Sequence, residues 1–336
     1  MISVVIPTFN MAGHLPALWE SIRASGLSGI AGEILFVNDG STDSTAATID
    51  ALRAGPGPDS SKVRALDLES NRGRFLARYQ GARAAQGDQL LFLDSRLNLG
   101  PSFGASIERI GAKHPCLVAS VDIDVTRNIF CLYWERSHRA IFRRHYRDSA
   151  RLLILTPENY DRYLKGTTAF LCPRDVFIEC CEPFVSQPLL NDDTHLMKEI
   201  VRRIPIAIHP EVRIGWIPRE DWKSFLWRLW DRGPSFVEYH VFEHRGPFFW
   251  AVLAGLAGVI GLGTLTFLEW RAGLVSLATG LALALLSTLA FTRNPLELVK
   301  LAPLHLGVLL AFGFGVIRGL WVNAFRAHPA GKDSGR

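Results

Sequence analysis

Four short apolar runs, at residues 4–6, 34–37, 63–66 and 90–93, punctuate the first hundred residues, and between them apolar positions recur at helical spacing over 15–23, 44–52 and 74–85. A short, wholly apolar run reads as a strand buried on both faces, and strand–helix–strand alternation predicts an α/β domain with a mostly parallel central sheet covered by helices. In such sheets ligands bind beyond the carboxyl ends of the strands. The polar residues that follow the runs, Pro7-Thr8-Phe9-Asn10, residues 38–43 and Asp94-Ser95-Arg96, are therefore where chemistry is to be sought. Segment 54–61, rich in Gly, Pro, Asp and Ser, reads as a surface loop.

The pattern changes near residue 246. Residues 246–268 and 272–291 contain no charged side chain, and each is close to the ~20 residues that cross a bilayer core as helix. A third apolar run, 301–325, carries His305 and Arg318, and two readings stand for it, a span or a segment within the interface. Glycines 255, 258, 261 and 263 fall at near-helical spacing inside the first run, which suits helix packing rather than a phosphate loop. Just before these runs Trp222, Phe225, Leu226, Leu229 and Trp230 recur at i, i+3, i+4, i+7 and i+8, with Lys223, Arg228 and Arg232 off that stripe. This is an amphipathic helix, expected either flat on anionic lipid or packed beneath the soluble part. The layout expected is a domain over 1–215, an amphipathic juxtamembrane region over 216–245, a membrane domain of two to three transmembrane helices over 246–325 and a polar tail over 326–336.

Composition refines this picture in three respects. The five cysteines, at 116, 131, 172, 180 and 181, show no paired metal spacing and read as reduced and mostly buried. The chain opens on Met1-Ile2-Ser3-Val4-Val5-Ile6, a strand-like run without a charged leader, so the expectation is an integral membrane protein whose first domain is cytoplasmic. The formal net charge of +5 gains meaning only near the membrane segments. Arg139, Arg143, Arg147 and Arg151 fall at four-residue steps and, if helical, form one basic strip, either a grip for phosphates or membrane or simply a solvated face. No nucleic-acid-binding motif accompanies the basic surface, which argues against a nucleic-acid partner. Neither a Gly-x-Gly-x-x-Gly after the first strand nor a Gly-Lys-Ser/Thr loop occurs, which removes most of the weight from dinucleotide and P-loop readings.

The strand ends, taken together, resemble the inverting family-2 glycosyltransferases of the GT-A fold. The carriers are Val5-Ile6-Pro7-Thr8-Phe9-Asn10, Asn38-Asp39-Gly40-Ser41-Thr42-Asp43, Asn71-Arg72-Gly73 with Ala77-Arg78, and Gly87-Asp88 before Leu93-Asp94-Ser95-Arg96. The resemblance continues through 166–177 and 191–200. It implies a nucleotide-sugar-binding domain in which Asp39 accepts hydrogen bonds from the base beside a wall of Pro7 and Phe9, with Arg78, Asp94 and Arg96 on the donor. The alternative for Asp39 is a cap on the helix expected near Asp43. Asp94 matches the first acid of the family's Asp-x-Asp motif, near ribose and metal. Where the family places the last acid this chain has Arg96, and a histidine usual after the later Pro-x-x-x-Val strand is absent, since Pro210-Glu211-Val212 leads to Gly215-Trp216.

These departures leave the divalent metal, Mg2+ or Mn2+, open. Either Arg96 neutralises the donor diphosphate itself and the reaction is metal-independent, or Arg96 turns to solvent while Asp94 alone steers a metal, or the site is degenerate. By the same resemblance Asp193 takes the position of the catalytic base with Asp192 before it, the alternative being an ordinary acidic helix start. Thr167 and Thr168 fall on the acceptor side, and His195 reads as a surface histidine. The activity implied is sugar transfer from a nucleotide-sugar donor to a hydroxyl of a lipid-linked saccharide or other envelope glycan, beside membrane lipids. A polyprenyl-phosphate acceptor is the enzymatic rival, and a non-catalytic nucleotide-sugar-binding or assembly protein is the rival of another class. The Gln-x-x-Arg-Trp motif of processive synthases is not found.

Overall fold

The computed structural model describes residues 1–186, 192–243 and 246–325, without the side chains of Asp192 and Asp193. The chain divides into two compact units, Met1–Asp124 with Phe142–Ile217, and Val125–Ile141 with residues 218–336, of which 326–336 lie outside the described residues.

The first unit begins with β1 (Ile2–Thr8), α1 (Leu15–Ala24), α2 (Leu27–Ile30), β2 (Ala31–Asn38), α3 (Thr45–Arg53), β3 (Val63–Asp67), α4 (Arg74–Ala84) and β4 (Gln89–Leu93). It continues through β5 (Leu97–Leu99), α5 (Phe103–Gly111) and β6 (Leu117–Asp122). After α6 (Ile129–Ile141), which belongs to the second unit, come α7 (Arg143–Asp148), β7 (Leu153–Leu155), β8 (Ala169–Pro173), α8 (Arg174–Cys181), α9 (Asp192–Arg203) and β9 (Ile206–Trp216). The strands form one sheet in the order β3-β2-β1-β4-β8-β6-β9-β5, with β7 also on β9. Pairing is parallel from β3 to β4, so the expected parallel arrangement holds for the first half. Beyond it the sheet is mixed, because β8 runs antiparallel to both β4 and β6.

Period-two alternation sorts the strand residues onto two cores. Val5, Leu35, Val37, Leu90 and Phe92 face one side with Phe75, Phe170 and Phe177, while Val4, Ile6, Ile34, Phe36, Leu91 and Leu93 face the other with Leu18, Ile22 and Phe103. Both faces being buried is what makes these strands read as unbroken apolar runs. Charged groups are also held within this unit, Glu33 among them. Glu33 is 2% exposed and accepts from the Ser3 hydroxyl and the Gln86 amide, each at 2.5 Å, and from Arg64. Burial alone would raise its carboxyl; the three donors together hold it below the usual value. All five cysteines are buried and form no disulfide among the described residues.

The second unit gathers α6 with α10 (Trp222–Asp231), α11 (Gly233–Val237), α12 (Pro247–Leu268), α13 (Trp270–Leu286) and α14 (Pro295–Ala324). Three helical stretches, Pro247–Leu268, Trp270–Ala290 and Pro295–Ala324, are long and apolar enough to cross a membrane. No residue of α12 is buried, and its large side chains point outward, as lipid-facing helices require. On α10, Phe225 and Leu229 are buried, and Phe225 lies among Phe130, Tyr133 and Trp134 of α6. The middle of the apolar stripe read from the sequence is thus turned inward onto protein, while its first residue, Trp222, and the neighbouring Trp227 remain as exposed large apolar side chains.

The arginine strip is not one helix. Its backbone breaks at Phe142, with φ −103° and ψ 42°, between α6 and α7. Within the first unit, Arg147 and Arg151 both pair with Asp148, at 3.3 and 3.4 Å, so Arg139 to Arg151 form no continuous basic face.

Candidate functional site

The carboxyl ends of β1, β2 and β4 lie along one edge of the parallel half of the sheet, because the three strands run the same way in adjacent positions. The loops that leave this edge are joined by side-chain bonds. Asn10, in the left-handed region at φ 54°, accepts from the Thr42 amide at 2.8 Å, while its own amide donates to the Ser41 hydroxyl at 3.0 Å. The Met11 amide donates to the Thr45 hydroxyl at 2.9 Å. Gly40 turns with φ +65°, and a Cβ there would meet the Ser70 backbone at 2.5 Å, so only glycine fits between the two loops.

Asp39 is 3% exposed, and its amide donates to the Thr8 carbonyl at 2.8 Å. Its two carboxylate oxygens accept from the Arg72 and Gly73 amides, at 2.8 and 2.9 Å. The carboxylate therefore holds the turn that starts α4 and leaves the start of α3 alone. Asp43 serves α3 instead, accepting from the Thr45 amide at 3.0 Å and from the Thr45 hydroxyl, which lowers its own carboxyl. A carboxylate oxygen has two lone-pair sites, so Asp39 keeps acceptor capacity beyond its two backbone bonds. Next to it in the chain order of strand ends, Phe9 is 38% exposed, an unusual position for a phenyl ring at the end of a core strand.

From α4 the buried Arg78 reaches the end of β4 and donates to Asp94 Oδ1 at 3.0 Å. Asp94 is further placed by its amide, which donates to the Thr168 carbonyl at 2.9 Å, and Ser95 Oγ donates to the Pro7 carbonyl at 3.1 Å. Arg96 is half-buried. Its Nε donates to the Ile217 carbonyl at 3.0 Å, and the Ile217 amide donates back to the Arg96 carbonyl at 3.1 Å. It is thus tied to the backbone beyond β9, unlike a side chain turned to solvent.

The protein groups around Asp94 do not by themselves fit a divalent cation. One carboxylate oxygen is taken by Arg78, and the next side chain of the motif is a permanent cation. Among the described residues no cluster of three His, Cys, Asp or Glu side chains has a geometry to hold a metal.

On the acceptor side Thr167 is 1% exposed and Thr168 is half-buried. Earlier in the chain, the Tyr160 hydroxyl donates to the Thr194 carbonyl at the start of α9 at 2.7 Å. Helix α9 begins at Asp192, as the acidic start predicted, but the side chains of Asp192 and Asp193 lie outside the described residues. His195 is 8% exposed and so is a buried residue rather than the surface histidine expected, since it faces inward on the first turns of α9.

Lys165 escaped the sequence reading, for an isolated lysine before Gly166 carries no signal of burial. Its Nζ stands 3.8 Å from the Tyr160 ring centroid and donates to the Tyr160 carbonyl. Burial pushes its ammonium down to about 8, against a smaller raising effect of Asp161.

Residues 3–159 match the family model described as Glycosyl transferase family 2. Among curated proteins, an undecaprenyl-phosphate 4-deoxy-4-formamido-L-arabinose transferase of Pseudomonas aeruginosa is 37% identical over 102 residues, 30% of this chain and 29% of that protein. A dolichyl-phosphate beta-glucosyltransferase of Drosophila melanogaster is 32% identical over 100 residues, 28% of this chain and 30% of that protein. The matched region is thus about three tenths of the length of these relatives. Among solved structures, a mannosyltransferase from Pyrobaculum calidifontis in complex with GDP-Man and Mn2+ aligns with a TM-score of 0.61 at 16% identity, over 96% of this chain and 87% of that one. The likeness establishes a shared fold, that of the GT-A glycosyltransferases.

Proposed function

We propose that this chain, whose segment 3–159 belongs to glycosyl transferase family 2, moves a sugar from a nucleotide-sugar donor to a polyprenyl phosphate at the cytoplasmic face of a membrane. The observation that carries the donor half is the strand-end constellation. Phe9 offers an exposed ring for a base to stack on, Asp39 offers a fixed carboxylate for a base N–H, and Arg78 orients Asp94 beside them. Arg96 then faces the diphosphate with a guanidinium, and its planar N–H donors suit phosphate oxygens.

The acceptor half draws on the names of the two relatives, both transferases acting on a polyprenyl phosphate. Within the second unit a cavity of about 330 Å³ is lined by Val125, Thr126, Asn128, Ile129, Leu132 and Lys300, a largely apolar wall with one ammonium, which suits a lipid phosphate. In the reaction an acceptor phosphate oxygen attacks the anomeric carbon, the bond from that carbon to the donor diphosphate breaks, and nucleoside diphosphate leaves. A phosphate is already an anion, so no base is required.

The second reading, a hydroxyl of a lipid-linked saccharide, rests on the Asp192-Asp193 start of α9. There Asp193 would take the hydroxyl proton, and Asp193→Asn would lower transfer by ~10²–10⁴-fold. The two readings part in one experiment. The full chain in proteoliposomes, given labelled nucleotide-sugars, is expected to label polyprenyl phosphate directly and to keep that activity in Asp193→Asn. Transfer only onto a preformed lipid-linked saccharide, lost in Asp193→Asn, would select the hydroxyl instead.

A further inference from the structure

Helix α14 has two faces with opposite solvent requirements. Its buried face, which includes Leu301, His305, Val308, Gly315, Gly319 and Asn323, is covered within the second unit by α6, α10 and α11. At the first turn Arg136 of α6 donates to both Glu297 carboxylate oxygens, at 2.9 and 2.8 Å. Further along, Tyr133 and His305 Nδ1 are bonded at 2.8 Å, and Gly315 lies against the Trp230 carbonyl. Near the last turn a Cβ on Gly319 would meet the Gly233 carbonyl at 2.7 Å, and Asn323 Nδ2 donates to the Pro234 carbonyl at 3.0 Å. Small residues permit this backbone approach, so the covering helices follow α14 from one end to the other.

Those covering helices are charged. They carry Glu135, Arg136 and Arg139 on α6, Arg228 and Asp231 on α10, and Arg232 just beyond it. If α14 crossed the bilayer, these side chains would be drawn through the hydrocarbon with it, against the strong cost of charge there.

The opposite face is apolar and open. Leu296, Val299, Leu310, Phe314, Ile317 and Trp321 are 50–76% exposed. At 3.6 residues per turn they fall in one narrow stripe, and none of Glu297, Lys300, His305 or Arg318 lies in it. Arg318 is turned toward α10 instead, with Cζ 4.0 Å from the Trp230 ring centroid.

The α12–α13 hairpin behaves differently. Buried residues are lacking in α12, and α13 has only Gly273, packed on Thr266. The hairpin meets α14 at its joint, where Ser287 and His305 Nε2 are bonded at 2.8 Å. Its turn, Glu269-Trp270-Arg271, is charged, as an end that emerges into the far headgroups should be.

We infer that only α12 and α13 cross the membrane, and that α14 lies in the plane of the lipid interface as an amphipathic platform. Its 296–321 stripe rests in the acyl boundary, and α6, α10 and α11 stand on its aqueous side. The end of α14 then stays on the same side as α10, whereas a third span would put it on the other. The inference depends on the membrane helices alone and not on any transfer activity.

The test uses the full chain in sealed vesicles of one orientation, with Lys223→Cys, Arg271→Cys and Ser334→Cys as single reporters and a membrane-impermeant maleimide. The five native cysteines are buried and supply a low background. Positions 223 and 334 are expected to label together and 271 only from the other side; labelling of 334 together with 271 would overturn the inference. As a second reading, nitroxides at 296, 310 and 321 sample ~37 Å of helix. They are expected at one shallow depth, and a spread of depths across the core would also overturn it.

Discussion

The two units solve opposite packing problems with the same residue types. In the first, apolar side chains face inward and buried charged groups such as Glu33, Asp39 and Arg78 are held by hydrogen bonds. In the second, large apolar side chains cover the outside of α12, α13 and one stripe of α14, while a polar seam of Arg136–Glu297, Tyr133–His305–Ser287 and Asn323 runs inside. The difference teaches that burial is set by the surrounding solvent. Water drives apolar surface inward, whereas lipid is indifferent to it and polar groups must find each other. The second unit's exterior thus suits lipid, and the first unit's polar strand ends are where we propose that the nucleotide binds.

The largest effect is expected at Arg96. Replacement with Ala removes the guanidinium proposed to meet the developing diphosphate charge, and kcat should fall by ~10²–10³-fold, the usual loss on removing one such donor. Wild-type activity is expected to survive chelation by EDTA, since Arg96 supplies charge where an acid would hold a cation. Silence after chelation, restored by Mg2+ or Mn2+, would transfer that work to a metal on Asp94 and the donor.

The polar seam of the second unit offers the next break. Arg136→Met leaves Glu297 without its bidentate partner, and should lower the stability of the second unit in detergent by ~1.5–3 kcal/mol. Donor binding in the first unit should be unchanged. Equal loss of both, followed by unfolding and by nucleotide titration, would contradict the division into two solvents.

A smaller and pH-dependent effect is expected at Glu33. Its carboxyl is lowered in the folded state, so its contribution is complete above the ordinary value of 4.5 and fades as pH falls below it toward the folded value. Glu33→Gln should cost about 1 kcal/mol at neutral pH and flatten the loss of stability below pH 4.5. Parallel acid unfolding curves for wild type and variant would remove Glu33 from the account.

The first half of the sheet was legible because its information is local. Each strand is an apolar run followed at once by its polar end, and Asp39, Asp94 and Arg96 could be named from their places after those runs. What the same residues touch was not legible. Asp39 meets amides 33 and 34 residues away, Arg96 meets a carbonyl 121 residues away, and the half-buried Lys165 sits over a tyrosine ring that nothing in the local pattern marks. The four-residue spacing of Arg139 to Arg151 looked like one face because periodicity cannot see a backbone break at Phe142. Helix α6 joined the second unit for a similar reason, since Phe130 and Tyr133 pack on Phe225 and His305, far ahead in the chain. The base position at Asp193 rests on resemblance alone.

The claim on which the account depends is that the strand ends around Phe9 and Asp39 bind a nucleotide, and calorimetric titration of the full chain with a panel of nucleoside diphosphates tests it most directly. One of them is expected to bind at one site per chain. Affinity should fall at least ~10-fold in Phe9→Ala, the order of one lost stacking contact, and further in Asp39→Ala. Absence of binding by every nucleoside diphosphate, or binding that both replacements leave unchanged, would contradict it.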